Sequence, residues 1–242
     1  MNNRIQPATE LTADKATYLI YGQQGSGKTT ALKHLPGKTL LLDIDRSSSV
    51  LIGEEDIDVL VIDTSNTWDD WISVVGELIT GKIDISEYDN IAVDNVTELF
   101  RSALEDLGKK GKATQDGVPG MADYQKIDFM LLRSLRGLNS LNKRIVFTAW
   151  ETTDLWTHES GQSFNRSMPE LRKTINNNFM GLCDVIAKVT SKIDSEEKVI
   201  RGFILQPSDS VMAKNRLDDR KGCLVSELVV KEGVDDGNME TS

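Results

Sequence analysis

The sequence predicts an α/β fold with a mainly parallel central sheet flanked by helices on both faces, plus an antiparallel extension in its C-terminal third. Three observations predict it. Short apolar runs alternate with segments whose apolar residues recur at spacings of three and four. A glycine-rich loop joins the first run to the first such segment, and after Trp150 the apolar runs follow one another across polar turns. Parallel strands need crossover connections, which the intervening helices supply, whereas successive strands joined by turns pair antiparallel.

Taken in order, Thr17 to Gly22 reads as a strand, and Ala31, Leu32 and Leu35 suit one face of the helix after it. Further strands are predicted over Thr39–Ile44, Asp58–Ile62, Ile91–Asp94 and Arg144–Ala149. Helices are predicted over Thr67–Ile79, Val96–Leu107 and Ala122–Leu141, with Gly108–Gly120 as the longest mobile loop. Beyond Trp150, Thr152–Pro169 reads as a loop, and Cys183–Thr190, Val199–Gln206 and Leu224–Val230 as sequential strands. This gives one domain over 15–230, preceded by an extension over 1–14 and followed by a polar, acidic tail over 231–242 with too little apolar surface to order itself.

A chain of 242 residues, 39% hydrophobic, can bury one sizeable core. No apolar run approaches the roughly 18 residues that span a bilayer, and Met1–Glu10 lacks the basic start and apolar stretch of a secretion signal, so a cytoplasmic protein is expected. Cys183 and Cys223 have no nearby Cys or His, so neither a zinc site nor a disulfide framework is suggested. The isolated His34 and His158 receive no role. The net charge of -10 excludes a surface uniformly coated for duplex DNA. Residues 101–144 are the exception, with nine Lys/Arg (Arg101, Lys109, Lys110, Lys112, Lys126, Arg133, Arg136, Lys143, Arg144) against five acids.

The most specific signal is Gly22-Gln23-Gln24-Gly25-Ser26-Gly27-Lys28-Thr29, which has the spacing of a phosphate-cradling loop. Glycines let the backbone approach phosphate oxygens, and N–H groups at the start of the following helix point at them. The nucleotide-binding set is therefore Gly22, Gln23, Gln24, Gly25, Ser26, Gly27, Lys28, Thr29 and Thr30, with ATP and Mg²⁺ as ligands. Lys28 is expected to bridge the β- and γ-phosphates, and Thr29 to ligate Mg²⁺. Asp94, closing an apolar strand, is the second metal-side acid. The next residue is Asn95, so no adjacent glutamate positions water, unlike the ring-forming AAA-plus ATPases. Asp45 is the preferred water-orienting acid, with Asp43 as its competitor on the same side of the strand.

Together these residues resemble the RecA-core ATPases, and within them the phage nucleotide-binding proteins of the single-strand-annealing and recombination group. The resemblance spans 15–217 and rests on the phosphate loop, Asp45, Asp94, the strand at Ile145–Ala149 and Ala213-Lys214-Asn215-Arg216. It implies a RecA-like fold, ATP hydrolysis, homo-oligomers and a role in DNA recombination in the host cytoplasm of a phage. It also implies that Lys214 and Arg216 act as catalytic cations in a neighbouring subunit's site. Where such proteins carry a polar sensing residue, this chain has Trp150, so either Glu151 takes the sensing role or the coupling between nucleotide state and the next loop is altered. The loop over Thr152–Pro169 then takes the place of a DNA-facing loop.

The basic stretch, together with Trp156, Phe164 and Arg166, supplies the charge and rings that single-stranded DNA uses. The same residues also suit solvated helix faces or rings packed under a loop. The resemblance favours an ATP-dependent recombination protein that anneals or pairs strands, alongside a single-strand-binding protein. The alternative is a switch or motor that acts on a protein partner. A small-molecule kinase is weaker, because no compact Arg-rich lid is present.

Overall fold

The computed structural model describes residues 15–111 and 117–230. The expected extension over 1–14, the acidic tail over 231–242 and Lys112 lie outside the described residues, as does the middle of the Gly108–Gly120 loop.

Among the described residues ten strands form one sheet. They are β1 (Thr17–Gly22), β2 (Thr39–Asp43), β3 (Ile57–Val61), β4 (Asn90–Asp94), β5 (Arg144–Thr157), β6 (Ser163–Pro169), β7 (Val185–Ile193), β8 (Val199–Ile204), β9 (Lys214–Asn215) and β10 (Gly222–Leu224). The α-helices of the described residues are α1 (Lys28–Ala31), α2 (Thr67–Thr80), α3 (Val96–Lys110), α4 (Met121–Asn139) and α5 (Lys173–Leu182). The order is β10-β8-β7-β1-β5-β4-β2-β3, parallel from β7 to β3 and antiparallel at the β8 and β10 edge. This is the mainly parallel sheet with a C-terminal antiparallel extension that the sequence predicts.

Alternation along the buried strands divides the interior in two. Leu19, Tyr21, Leu40, Leu42, Ile91, Val93, Ile145 and Phe147 face one core, whereas Tyr18, Ile20, Leu41, Ala92 and Val146 face the other. The first core is the larger because α2, α3, α4 and α5 all pack on that side. The opposite face is covered by short pieces: α1, the 3-10 turns Leu32–His34 and Ser48–Leu51, and the chain near Leu228. The expected pair of helical layers is therefore lopsided, since the segment after the phosphate loop yields only a short α-helix before its 3-10 turn.

Two further differences matter for the site. The residues read as a loop over Thr152–Pro169 are the outer half of β5 and all of β6, paired from Glu151↔Pro169 to Thr157↔Ser163. Thr, Trp and Phe are strand-favouring, and their alternation is masked by Asp154 and Arg166, which occupy the same face as Trp156 and Phe164. Leu224–Val230, read as a strand, contributes only its first residue to β10 before a 3-10 turn at Val225–Glu227.

Candidate nucleotide site

Because β1, β2 and β4 run parallel, Gly22, Asp43 and Asp94 end at the same sheet edge, and Asp43 lies directly beside Asp94 in register. Ligands of open parallel sheets bind outside this carboxyl edge. The loop over Gly22–Thr29 leaves β1 there and turns into α1 at Gly27, whose φ of 98° lies in the left-handed region that only glycine adopts readily. Side chains are excluded at Gly22 for another reason, since a Cβ there would lie 2.7 Å from Ser26 Oγ and 3.1 Å from Val189 Cβ.

Lys28 is buried, and its ammonium donates to the carbonyls of Gly22 (3.0 Å) and Gln23 (2.9 Å). Burial pulls its pKa below the ordinary lysine value, opposed by the charges of Asp94, Asp45 and Glu151. Ser26 Oγ is buried in the same loop without a hydrogen-bond partner, and Gln23 and Gln24 are exposed. A lysine folded onto loop carbonyls and an orphaned hydroxyl fit a loop whose polar groups are satisfied by phosphate oxygens.

Beside it, three hydroxyls converge on Asp94. Thr29 Oγ1 donates to Asp94 Oδ2 at 2.5 Å, Ser47 Oγ to the same oxygen at 2.9 Å, and Thr148 Oγ1 to Oδ1. Thr29 and Ser47 also share a hydrogen bond of 3.1 Å. Burial raises the Asp94 pKa against the opposing effect of these hydroxyl donors, and Asp45 adds a further upward push. Among the described residues no three His, Cys, Asp or Glu side chains form a metal cluster. The oxygens that fit Mg²⁺ are those of Thr29, Asp94 and Ser47, a hard donor set that bound phosphates and water complete.

Asp43 and Asp45 divide the turn after β2 between them. Asp43 is buried and accepts the backbone N–H groups of Ser47 (3.3 Å) and Ser48 (3.4 Å), which braces the turn. Asp45 is half-buried and accepts from Asn95 Nδ2 at 2.5 Å. Asn95 in turn caps α3 by accepting from the Glu98 N–H at 2.8 Å, so one side chain ties Asp45 to the start of α3. Asn95 thus does local work where the AAA-plus glutamate is missing. The hydroxyls of Ser47 and Thr148 were not singled out by the sequence, since a lone Ser or Thr carries no spacing signal.

The structure brings together Gly22–Thr30, Asp45 and Asp94, but not Lys214 and Arg216. Both lie on or beside β9, which pairs with the start of β7, level with the amino-terminal half of β1 and away from the loop. Lys214 Nζ donates to the carbonyls of Met180 (3.0 Å) and Gly181 (3.3 Å) and to that of Cys183, closing the end of α5. Arg216 is exposed, with no side-chain partner among the described residues. The Trp150 ring lies under the Arg101 guanidinium at 4.6 Å, and Glu151 is paired with Lys188 at 2.9 Å.

The basic stretch is largely neutralised internally. Arg101 pairs with Glu170, Lys109 with Glu105, Lys110 with Asp69 and Asp106, and Lys126 with Asp123, while Arg144 is buried on Asn90. Only Arg133 and Arg136 of its helices lack a partner among the described residues. The expected basic patch is thus much smaller than the sequence count, because neighbouring acids on α2, α3 and α4 answer it.

The family model described as an AAA domain matches residues 14–217, a span that takes in the loop, Asp45, Asp94, β5 and Arg216. The chain belongs to the AAA domain family. Membership carries nucleotide binding, typically with Mg²⁺, and marks the AAA domain as an ATPase-type module. No curated protein matches the chain. Among the described residues no helix is long and apolar enough to cross a membrane.

Proposed function

We propose that this AAA domain is a Mg²⁺-dependent ATPase of DNA recombination that binds single-stranded DNA and promotes annealing or strand pairing as a homo-oligomer, working beside a single-strand-binding protein. The loop and Lys28 hold the β- and γ-phosphates, and Thr29, Ser47 and Asp94 seat the metal. When bound, Mg²⁺ neutralises charge on the phosphates. Asp45, held by Asn95, orients the attacking water and accepts its proton.

The continuity of β5 supports the DNA half of this reading. Its inner part places Thr148 on Asp94, and the same 14-residue strand runs outward to Trp156. There Trp156 and Phe164 lie with ring centroids 6.3 Å apart on one face of the β5–β6 hairpin, Arg166 covers the Trp156 ring at 5.1 Å and His158 meets its edge. Half-buried rings with an arginine on a projecting ribbon match the way single-stranded bases stack on proteins. A strand shared with the metal seat gives nucleotide state a direct route to that platform.

A groove of about 440 Å³ between α2 and α4, lined by Trp68, Ile72, Ile79 and Phe129, favours a second reading, a switch acting on a protein partner. Steady-state ATPase assays with and without single-stranded DNA decide between them. Stimulation that Trp156→Ala and Phe164→Ala remove, with basal hydrolysis retained, supports the recombination reading. A rate indifferent to DNA, with no DNA retained in a binding assay, overturns it.

A further inference from the structure

The hairpin of β7 and β8 runs past the end of β1. Tyr21 pairs with Lys188, yet β7 continues to Ile193 and turns into β8, with Arg201 opposite Ser191. This overhang covers the flank of the phosphate loop. A Cβ added at Gly27 would lie 3.1 Å from Arg201 Cδ and 3.2 Å from Arg201 Nε, so the arginine stem lies directly against the loop backbone. Among the described residues its guanidinium has no ion pair or hydrogen bond. Between α1 and the β8–β10 edge opens a cleft of about 280 Å³, lined by Thr30, His34, Val199, Arg201, Leu224 and Ser226. Val199 and Leu224 expose 55% and 46% of their surface there, an unusual outlay of apolar area beside a polar loop.

The topology says which end of a nucleotide this cleft meets. Thr29, Ser47 and Asp94 mark the metal end, on the β4 and β2 side of β1. The cleft lies on the opposite side, toward β7, β8 and β10, and shares Gly27 and Thr30 with the loop. A triphosphate with its terminal phosphates at Lys28 and the metal seat therefore carries its nucleoside toward the cleft.

We propose that the cleft between α1 and the β8–β10 edge seats the nucleoside of the bound triphosphate, with Arg201 in contact with its phosphate chain from the same subunit. The inference rests on the nucleotide reading of the loop. The base covers Val199 and Leu224, Thr30, His34 and Ser226 offer polar groups at its rim, and Arg201 supplies a cation from the same subunit, whereas the resemblance implies Lys214 and Arg216 of a neighbour. The overhanging hairpin makes the last third of the chain part of the nucleotide site.

Calorimetric titration with Mg-ATP and with Mg-tripolyphosphate, which has phosphates but no nucleoside, tests this. Ser226→Trp fills the exposed rim of the cleft and should weaken ATP binding by roughly tenfold or more while leaving tripolyphosphate unchanged. Leu224→Ala, a milder change at a half-exposed side chain, should weaken ATP alone by a few-fold. Arg201→Ala should weaken both ligands together. Wild-type ATP affinity in Ser226→Trp, or equal losses for the two ligands, overturns the nucleoside seat, and unchanged binding in Arg201→Ala overturns the contact. Lys28→Ala separates the two levels: it should abolish binding of both ligands, and a wild-type chain that binds neither removes the loop reading itself and the cleft with it.

Discussion

The Lys28 ammonium is held on two loop carbonyls while burial lowers its pKa, so the folded protein carries a cation at a site better suited to an uncharged group. For a base with a depressed folded pKa, the unfolded chain binds the proton more tightly. The cost is present at neutral pH and disappears as pH rises through the lowered value toward the ordinary 10.5. Lys28→Met should therefore abolish ATP binding, and its melting temperature relative to the wild type should fall as pH rises through the lowered value toward 10.5, because only the wild type sheds the buried charge. Thermal melts across pH check this, and a difference that stays constant with pH would refute it. Asp94→Asn should keep the fold while reducing Mg²⁺-dependent ATP binding by at least about tenfold, because the metal loses its one carboxylate. Titration with and without Mg²⁺ reads the difference. The loop residues were legible in the sequence because glycine spacing and a lysine at a fixed offset encode their own geometry. Asp94 was legible from the end of an apolar strand. Ser47, Thr148 and Arg201 were not, since each reaches the site only through sheet register or a hairpin overhang.

At the scale of elements, strand and helix periodicity located β1, β2, β4, the inner half of β5, α2, α3 and α4, because each is buried on a regular stripe. The outer half of β5 and β6 escaped because a two-stranded ribbon buries little, so no core imposes a clean apolar alternation on it. Helix α5 escaped as well, since its run of Asn176, Asn177 and Asn178 hides the apolar face of Ile175, Phe179 and Met180. Lys214 belongs to this scale. Its three carbonyl contacts fasten β9 to the end of α5, so Lys214→Met should destabilise the domain by about 1–3 kcal/mol through the unpaired carbonyls it leaves. Denaturant unfolding measures the loss, and unchanged stability would show that the ammonium is free for another role. Titration of the folded variant should still show ATP binding, because no part of the loop touches Lys214.

For the whole molecule, the placement of Arg216 sets the question. It is exposed near the amino-terminal half of the sheet, so it reaches no nucleotide in its own subunit, and a catalytic role needs a neighbour whose loop faces that edge. A contact joining one face to a different face is head-to-tail, and such contacts build rings or filaments. Arg201, by contrast, already lies against its own loop. Lys28→Ala and Arg216→Ala subunits, assayed alone and mixed in equal amounts, separate these arrangements. With sites shared between subunits, about a quarter of the contacts unite an intact loop with an intact Arg216, so hydrolysis should return to about a quarter of the wild-type rate. With Arg201 as the sufficient cation, Arg216→Ala subunits hydrolyse ATP unaided, and mixing only dilutes them. Should both variants be inactive and the mixture stay so, Arg216 serves its own subunit through the fold, and the shared-site assembly is excluded.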